Sequence, residues 1–207
     1  MSEELKEKAN EVKTISIELI KKLKELSGVG LTDAKNALVE AKGDFDKALE
    51  AMRKKGMTKA EKRGDRETRE GIIETYVHDG RLGAIIEVNC ETSFVAKTEE
   101  FKDLAHKLAM QVASMNPIYV SMESIPEDEL KAKKKEFEAN FKGPENMKDQ
   151  IIDGQIKKAF GDKVLMEQPY ILDDSMTVAQ FIKNAVAKTG ENITVSQFKR
   201  LEVGVTE

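Results

Sequence analysis

The stretch GIIETYVHDGRLGAIIEVNCE, residues 71–91, limits the fold more than any other part of the chain. Two β-rich runs flank Asp79-Gly80, a pair suited to the two positive φ angles of a type I′ turn, so the pattern predicts a β-hairpin. A two-residue turn sets His78 opposite Arg81. In that register one face gathers Ile73, Val77, Leu82, Ala84, Ile86, Val88 and Cys90 and the other is mostly polar, so one side is core. Thr98 followed by Glu99 and Glu100 then marks a helix start, with two carboxylates at the positive end of the dipole. Phe101, Leu104, Ala105, Leu108, Ala109 and Val112 form the buried stripe of that helix. Residues 92–97, TSFVAK, are left as the strand-to-helix connection.

The amino-terminal part has a different rhythm. Ile15, Leu19, Ile20, Leu23 and Leu26 recur at three and four, predicting a helix that SGVG, residues 27–30, ends. Thr32 or Asp33 caps a second helix with Ala34, Ala37, Leu38 and Ala41 on its apolar side, ended by Gly43. Asp44 opens a third, carrying Phe45, Ala48, Leu49 and Met52, with Gly56 as its stop. Three short helices form a miniature bundle over residues 1–56, behind a charged lead-in. A unit this small buries little surface and suits docking better than catalysis. Residues 53–70, RKKGMTKAEKRGDRETRE, hold eight basic and four acidic residues with almost no apolar anchors, so 57–70 is read as a linker.

The remainder, 71–207, is the core domain. After Pro117 a short strand is expected at 118–120, then a charged, protruding helical insertion over about 127–160, with helices near 127–140 and 146–160. Thr177 caps a further helix with Val178, Phe181, Ile182 and Val186, and a closing strand falls within 193–205. The fold class is α+β: a three-helix domain, then an antiparallel sheet packed with helices.

Composition excludes several functions. Thirty-four Lys and Arg against 38 Asp and Glu leave a net charge of −4, too balanced for a protein held on nucleic acid by phosphates alone. The run Lys133 to Lys135 alternates with Glu129, Glu136 and Glu138, as on a solvated helix face. The single cysteine, Cys90, cannot form an intrachain disulfide, which fits a reducing compartment. The charged start lacks a signal peptide's apolar run, and no stretch nears the roughly 18 apolar residues that span a bilayer. No membrane association and a cytoplasmic location are expected.

Catalytic chemistry finds no support either. His78 at the turn and Cys90 lie on the order of 30 Å apart along the hairpin, too far for a nucleophile and its base. His106 reads as an ordinary helical residue at the surface or core edge. Three soft or imidazole ligands in three environments make no zinc site. There is no GxxxxGK run, and the glycines at 28, 30, 80 and 83 do not open a helix after a strand, so no nucleotide or other cofactor is expected. What remains is Phe94 with Val95, two apolar side chains in a polar connection. They either tuck into the core or project as a compact apolar wedge on a rigid base.

At this point the residues resemble a family. IKKLKELSGVGLTDAKNALVEAKGDFDKALEAMRKKG, residues 20–56, is similar to the amino-terminal domain of elongation factor Ts nearly position by position. GAIIEVNCETSFVAKTEEF, residues 83–101, resembles that family's core hairpin and its TDFVA loop, and QPYILDDSMTVAQFI with FKRLEVGV resembles its closing segment. The resemblance implies a short member with one core repeat, acting as a guanine nucleotide exchange factor for elongation factor Tu and catalysing no reaction of its own. It implies that Thr92, Ser93, Phe94 and Val95 form the loop inserted near the GTPase's Mg²⁺ site, with Phe94 as the wedge. Ser93 stands where the family usually has Asp and brings no charge. In the docking domain the implied contacts are Lys24, Val29, Leu31, Thr32 and Lys35, an apolar centre with a basic rim. Leu31 as a bundle-core residue is the alternative. A homodimer through exposed β edges is also implied, since one repeat stands where longer members have two. The rival reading is a ubiquitin-associated-type binding module without exchange activity, which three helices with a glycine turn also resemble.

Overall fold

The computed structural model describes residues 16–27, 30–61, 63–144 and 147–205. The amino-terminal helices are α1 (Ile17–Ser27), α2 (Leu31–Glu40) and α3 (Phe45–Glu61). Leu23, Ala34, Ala37, Leu38, Ala48 and Met52 are buried between them, the stripes that helical spacing predicts. Two expected boundaries move. The N-cap of α2 is Gly30, with no side-chain cap, while Thr32 and Asp33 fall inside the helix. Asp33 there still faces the positive end of the dipole. Helix α3 runs through Gly56 to Glu61 instead of stopping. A mid-helix glycine costs only about 1 kcal/mol, and packing of α3 against α8 (Val178–Thr189) offsets that cost.

The following segment is tied to the core rather than loose. Arg63 donates to the Val186 carbonyl at 3.4 Å, and the buried Asn192 amide donates to the carbonyls of Gly64 at 3.1 Å and Arg66 at 2.7 Å.

Strands β1 (Glu70–His78), β2 (Leu82–Cys90) and β5 (Ile193–Glu202) form an antiparallel sheet in the order β1-β2-β5. Asp79 and Gly80 have φ of 49° and 66°, and the Arg81 N–H donates to the His78 carbonyl at 3.0 Å, as a type I′ turn requires. The ladder nevertheless resumes one residue later, with His78 opposite Leu82 and Tyr76 opposite Ala84. Arg81 is left out of the β1–β2 pairing, and its carbonyl accepts from Val203 at 2.8 Å. This one-residue slip reverses the faces of β1. Ile72 and Tyr76, not Ile73 and Val77, lie with Ala84, Ile86, Val88 and Cys90 against the core.

Helix α5 (Glu99–Met115) covers that face together with α8. Its stripe is buried as expected, and Thr98 caps it by accepting from the Phe101 N–H at 3.2 Å. Thr177 caps α8 in a reciprocal box with Gln180.

The insertion forms α6 (Glu127–Ala139) and α7 (Lys148–Phe160) and has a small core of its own. Ile152, Ile156 and Phe160 are buried there, with Leu130, Phe137 and Phe141 packed on them. At 118–120 a single parallel bridge, Tyr119 to Val164, replaces the expected strand. A short hairpin unforeseen from sequence, β3 (Pro169–Tyr170) with β4 (Asp173–Thr177), follows. Two buried glutamines fix it in place. Gln111 on α5 donates to Gln168 Oε1 and the Pro169 carbonyl, both at 3.1 Å, and accepts from the Ile171 N–H at 2.8 Å. Gln168 donates in turn to the carbonyls of Met115 at 3.1 Å and Asp162 at 2.7 Å.

Candidate functional site

The connection after β2 is one helical turn, α4 (Ser93–Ala96), capped by Thr92 in extended backbone. Ala96 is buried and Val95 packs on the main core, while Phe94 is 85% exposed. Of the two readings open for this pair, Val95 takes the inward one and Phe94 the outward one. Helical spacing makes this possible, because consecutive residues leave the axis about 100° apart.

The turn is held from several sides. The carbonyl of Thr92 accepts from the Ala96 N–H and from the Cys90 thiol, each at 3.2 Å. Thr98 Oγ1 donates to the Val95 carbonyl at 2.8 Å. The carboxylate of Glu191, in the corner between α8 and β5, accepts from the Thr92 N–H at 3.0 Å and from its hydroxyl at 2.6 Å. In the opposite direction Glu91 accepts from the Asn192 N–H at 2.6 Å and meets the Arg66 guanidinium at 3.4 Å. Sequence reasoning missed Glu91, Asn192 and Glu191. Only the proximity of chain corners a hundred residues apart reveals them.

Burial, and then the Glu191 carboxylate, push the Cys90 thiol above its ordinary pKa. It is a packed core residue rather than a nucleophile. His106 lies beside Glu74 at 3.5 Å with its ring edge-on to Tyr76, and Tyr76 bonds to His78 at 3.0 Å. Among the described residues no group of three or more His, Cys, Asp or Glu could hold a metal ion, and no helix is long and apolar enough to cross a membrane.

On the helical domain, Lys24, Thr32 and Lys35 are exposed. Leu31, the first residue of α2, is 54% exposed and stands outside the bundle core. Val29 lies outside the described residues.

The sequence model of the family described as Elongation factor TS matches residues 3–205. The chain belongs to the elongation factor Ts family. It is 50% identical over 192 residues to the Elongation factor Ts of Thermotoga maritima, covering 92% of this chain and 96% of that protein. Against the Elongation factor Ts of Fervidobacterium nodosum it is 44% identical, covering 92% and 98%. Against that of Caldanaerobacter subterraneus subsp. tengcongensis it is 42% identical, covering 92% and 97%. Membership of the elongation factor Ts family makes this a translation elongation factor.

Proposed function

We propose that this chain is a guanine nucleotide exchange factor for elongation factor Tu, which binds the GDP-bound GTPase and promotes GDP release. The observation that carries the reading is Phe94, an aromatic ring held out in solvent on a turn whose neighbours are anchored in the core. A factor of this kind needs to make or break no bond. It binds the nucleotide-free GTPase better than the GDP-bound one, and by linkage GDP then binds less tightly while the factor is present. A ring pressed into the partner beside its Mg²⁺ displaces the charge that holds the β-phosphate. Because Ser93 carries no charge, the action rests on the ring's bulk rather than on an introduced carboxylate. Lys24, Leu31, Thr32 and Lys35 supply the separate docking contact, an apolar centre with basic neighbours.

The test is release of fluorescent GDP from GDP-loaded elongation factor Tu on mixing with this protein. Acceleration supports the reading. Binding without acceleration favours the ubiquitin-associated-type module instead.

The reversed faces of β1 favour a second copy of the chain as a further partner. Ile73, Val77, Ile85 and Leu201 all stand exposed on the outer face of the sheet. Val77 and Leu201 flank Gly83 around a groove of about 220 Å³. Three strands of nine or ten residues present about 400 Å² of projected face on each copy, about half the roughly 800 Å² per partner of a standard specific interface. The dimer is accordingly expected to depend on concentration.

A further inference from the structure

We propose that Glu191 is a positioning residue for nucleotide exchange, holding the turn that presents Phe94 from 99 residues away in the sequence. The inference rests on the exchange reading above and adds to it the group that makes the wedge stiff.

The geometry gives Glu191 a job that a neutral side chain performs less well. Its two carboxylate oxygens take two donors from one residue, the N–H and the hydroxyl of Thr92. Such charge-assisted bonds are roughly twice as strong as neutral ones. With the Thr92 carbonyl occupied by Ala96 and Cys90, every backbone polar group of Thr92 is engaged. The same hydroxyl accepts from the Val95 N–H at 3.5 Å, so the Glu191 clasp and the cap of α4 share one atom.

Glu191 is itself presented by a fixed corner. Gly190, with φ of 81°, closes α8 in the left-handed conformation. The Glu191 N–H bonds to the Thr189 hydroxyl at 3.3 Å, and the next residue, Asn192, is gripped by Glu91, Gly64 and Arg66. The two corners therefore clasp each other reciprocally, Glu91 to Asn192 and Glu191 to Thr92.

Phe94, by contrast, is 85% exposed, so little packing of its own orients it. A wedge on a loose turn yields when pressed against a partner, whereas one on a clamped turn transmits the displacement. The clasp reaches the ring through Thr92, the residue that caps the turn.

The experiment measures the maximal rate of fluorescent-GDP release from GDP-loaded elongation factor Tu for wild type, Glu191→Ala, Phe94→Ala and the double variant, with Tm determined for each. Glu191→Ala should lower the maximal rate about fivefold or more, with little change in the concentration giving half-maximal release. In the Phe94→Ala background the same substitution should change the rate less than about twofold, because the ring it positions is gone. Glu191→Gln keeps the volume and one acceptor and should restore part of the rate. It carries the same comparison if the alanine variant fails to fold. Equal fold-losses in both backgrounds, or no loss in either, would overturn the positioning role while leaving a slow Phe94→Ala to support exchange by the wedge. An unchanged rate for Phe94→Ala would overturn both.

Discussion

Phe94→Ala is the most informative single perturbation, because the ring's exposure sets its expected effect on folding and, on the exchange reading, the size of its expected effect on GDP release. At 85% exposure the ring contributes almost nothing to the core, so the substitution should leave stability within about 0.5 kcal/mol. Nearly all of its surface is still available to a partner. Fully burying a phenylalanine side chain yields about 1.5–3 kcal/mol, and 85% of that range is about 1.3–2.6 kcal/mol. If the ring is buried in the state from which GDP departs and not in the state preceding it, the whole amount appears in the rate. At about 1.36 kcal/mol per factor of ten, GDP should leave the partner GTPase about ten- to eightyfold more slowly with the variant than with wild type. Stopped-flow displacement of fluorescent GDP at saturating factor reads this directly, beside thermal unfolding of the same preparation. A rate within twofold of wild type with an unchanged Tm would refute the reasoning at its root.

Four other outcomes follow from the same structure. Leu31→Ala, exposed and outside the bundle core, should shift Tm by less than about 2 °C and raise the half-saturating concentration for exchange several-fold. The buried Leu38→Ala should instead cost about 2–5 kcal/mol, and a Leu31→Ala that melts equally early would show Leu31 to be packing. Gln111→Ala strips partners from Gln168, Pro169 and Ile171, a loss of about 2–4 kcal/mol seen as roughly 5–15 °C in Tm, and a drop under 2 °C would contradict it. Leu201→Lys on the outer face should abolish concentration-dependent association in sedimentation equilibrium without altering Tm at low concentration, and an unchanged association constant would exclude that face as the interface. Because burial raises the Cys90 thiol pKa, the unfolded chain loses that proton first as pH rises. The thiol's contribution to stability is thus intact below the ordinary thiol range and falls as pH climbs through the folded value. Urea midpoints of wild type should therefore fall relative to Cys90→Ala in that alkaline window, and parallel curves would refute the shift.

Much of this was legible in the residues, for reasons that also mark where legibility ends. Thr98, the two glutamates after it and a stripe from Phe101 to Val112 agree on one helix, and it forms. The hairpin was equally plain, but not its register. The doublets Ile72-Ile73 and Tyr76-Val77 place an apolar residue on either face, so alternation in β1 fits both parities and only the turn could choose. The turn has the expected conformation, yet Arg81 is drawn out of the ladder toward Val203, a contact 122 residues away. Gly56 misled because a local breaker signal ignores the packing of α3 on α8. The β3–β4 hairpin was invisible because DDSMT has no alternation and its anchor is the Gln111–Gln168 pair. Phe94 could be singled out from the sequence but not placed, since its direction depends on Ala96 and Val95 entering the core beneath it.

A ring proposed as a wedge depends on its anchors as well as on its own bulk. Leaving Phe94 in water forgoes stabilisation but does not subtract from it, because the unfolded chain exposes the same ring. Ordering the backbone of Thr92, Ser93, Phe94 and Val95 costs about 1–2 kcal/mol per residue, about 4–8 kcal/mol in all, while burying the ring against a partner returns only about 1.3–2.6 kcal/mol. A phenylalanine on a free loop would therefore lose more on docking than it gained. The ring becomes useful only if folding has already ordered the turn, and the groups that do so are the Thr92 cap, the buried Ala96, the half-buried Val95 and the Glu191 carboxylate. Preorganisation of this kind reduces the free energy that association must supply. On the exchange reading, then, the use of the exposed ring depends on the anchors beneath it, the Glu191 carboxylate among them.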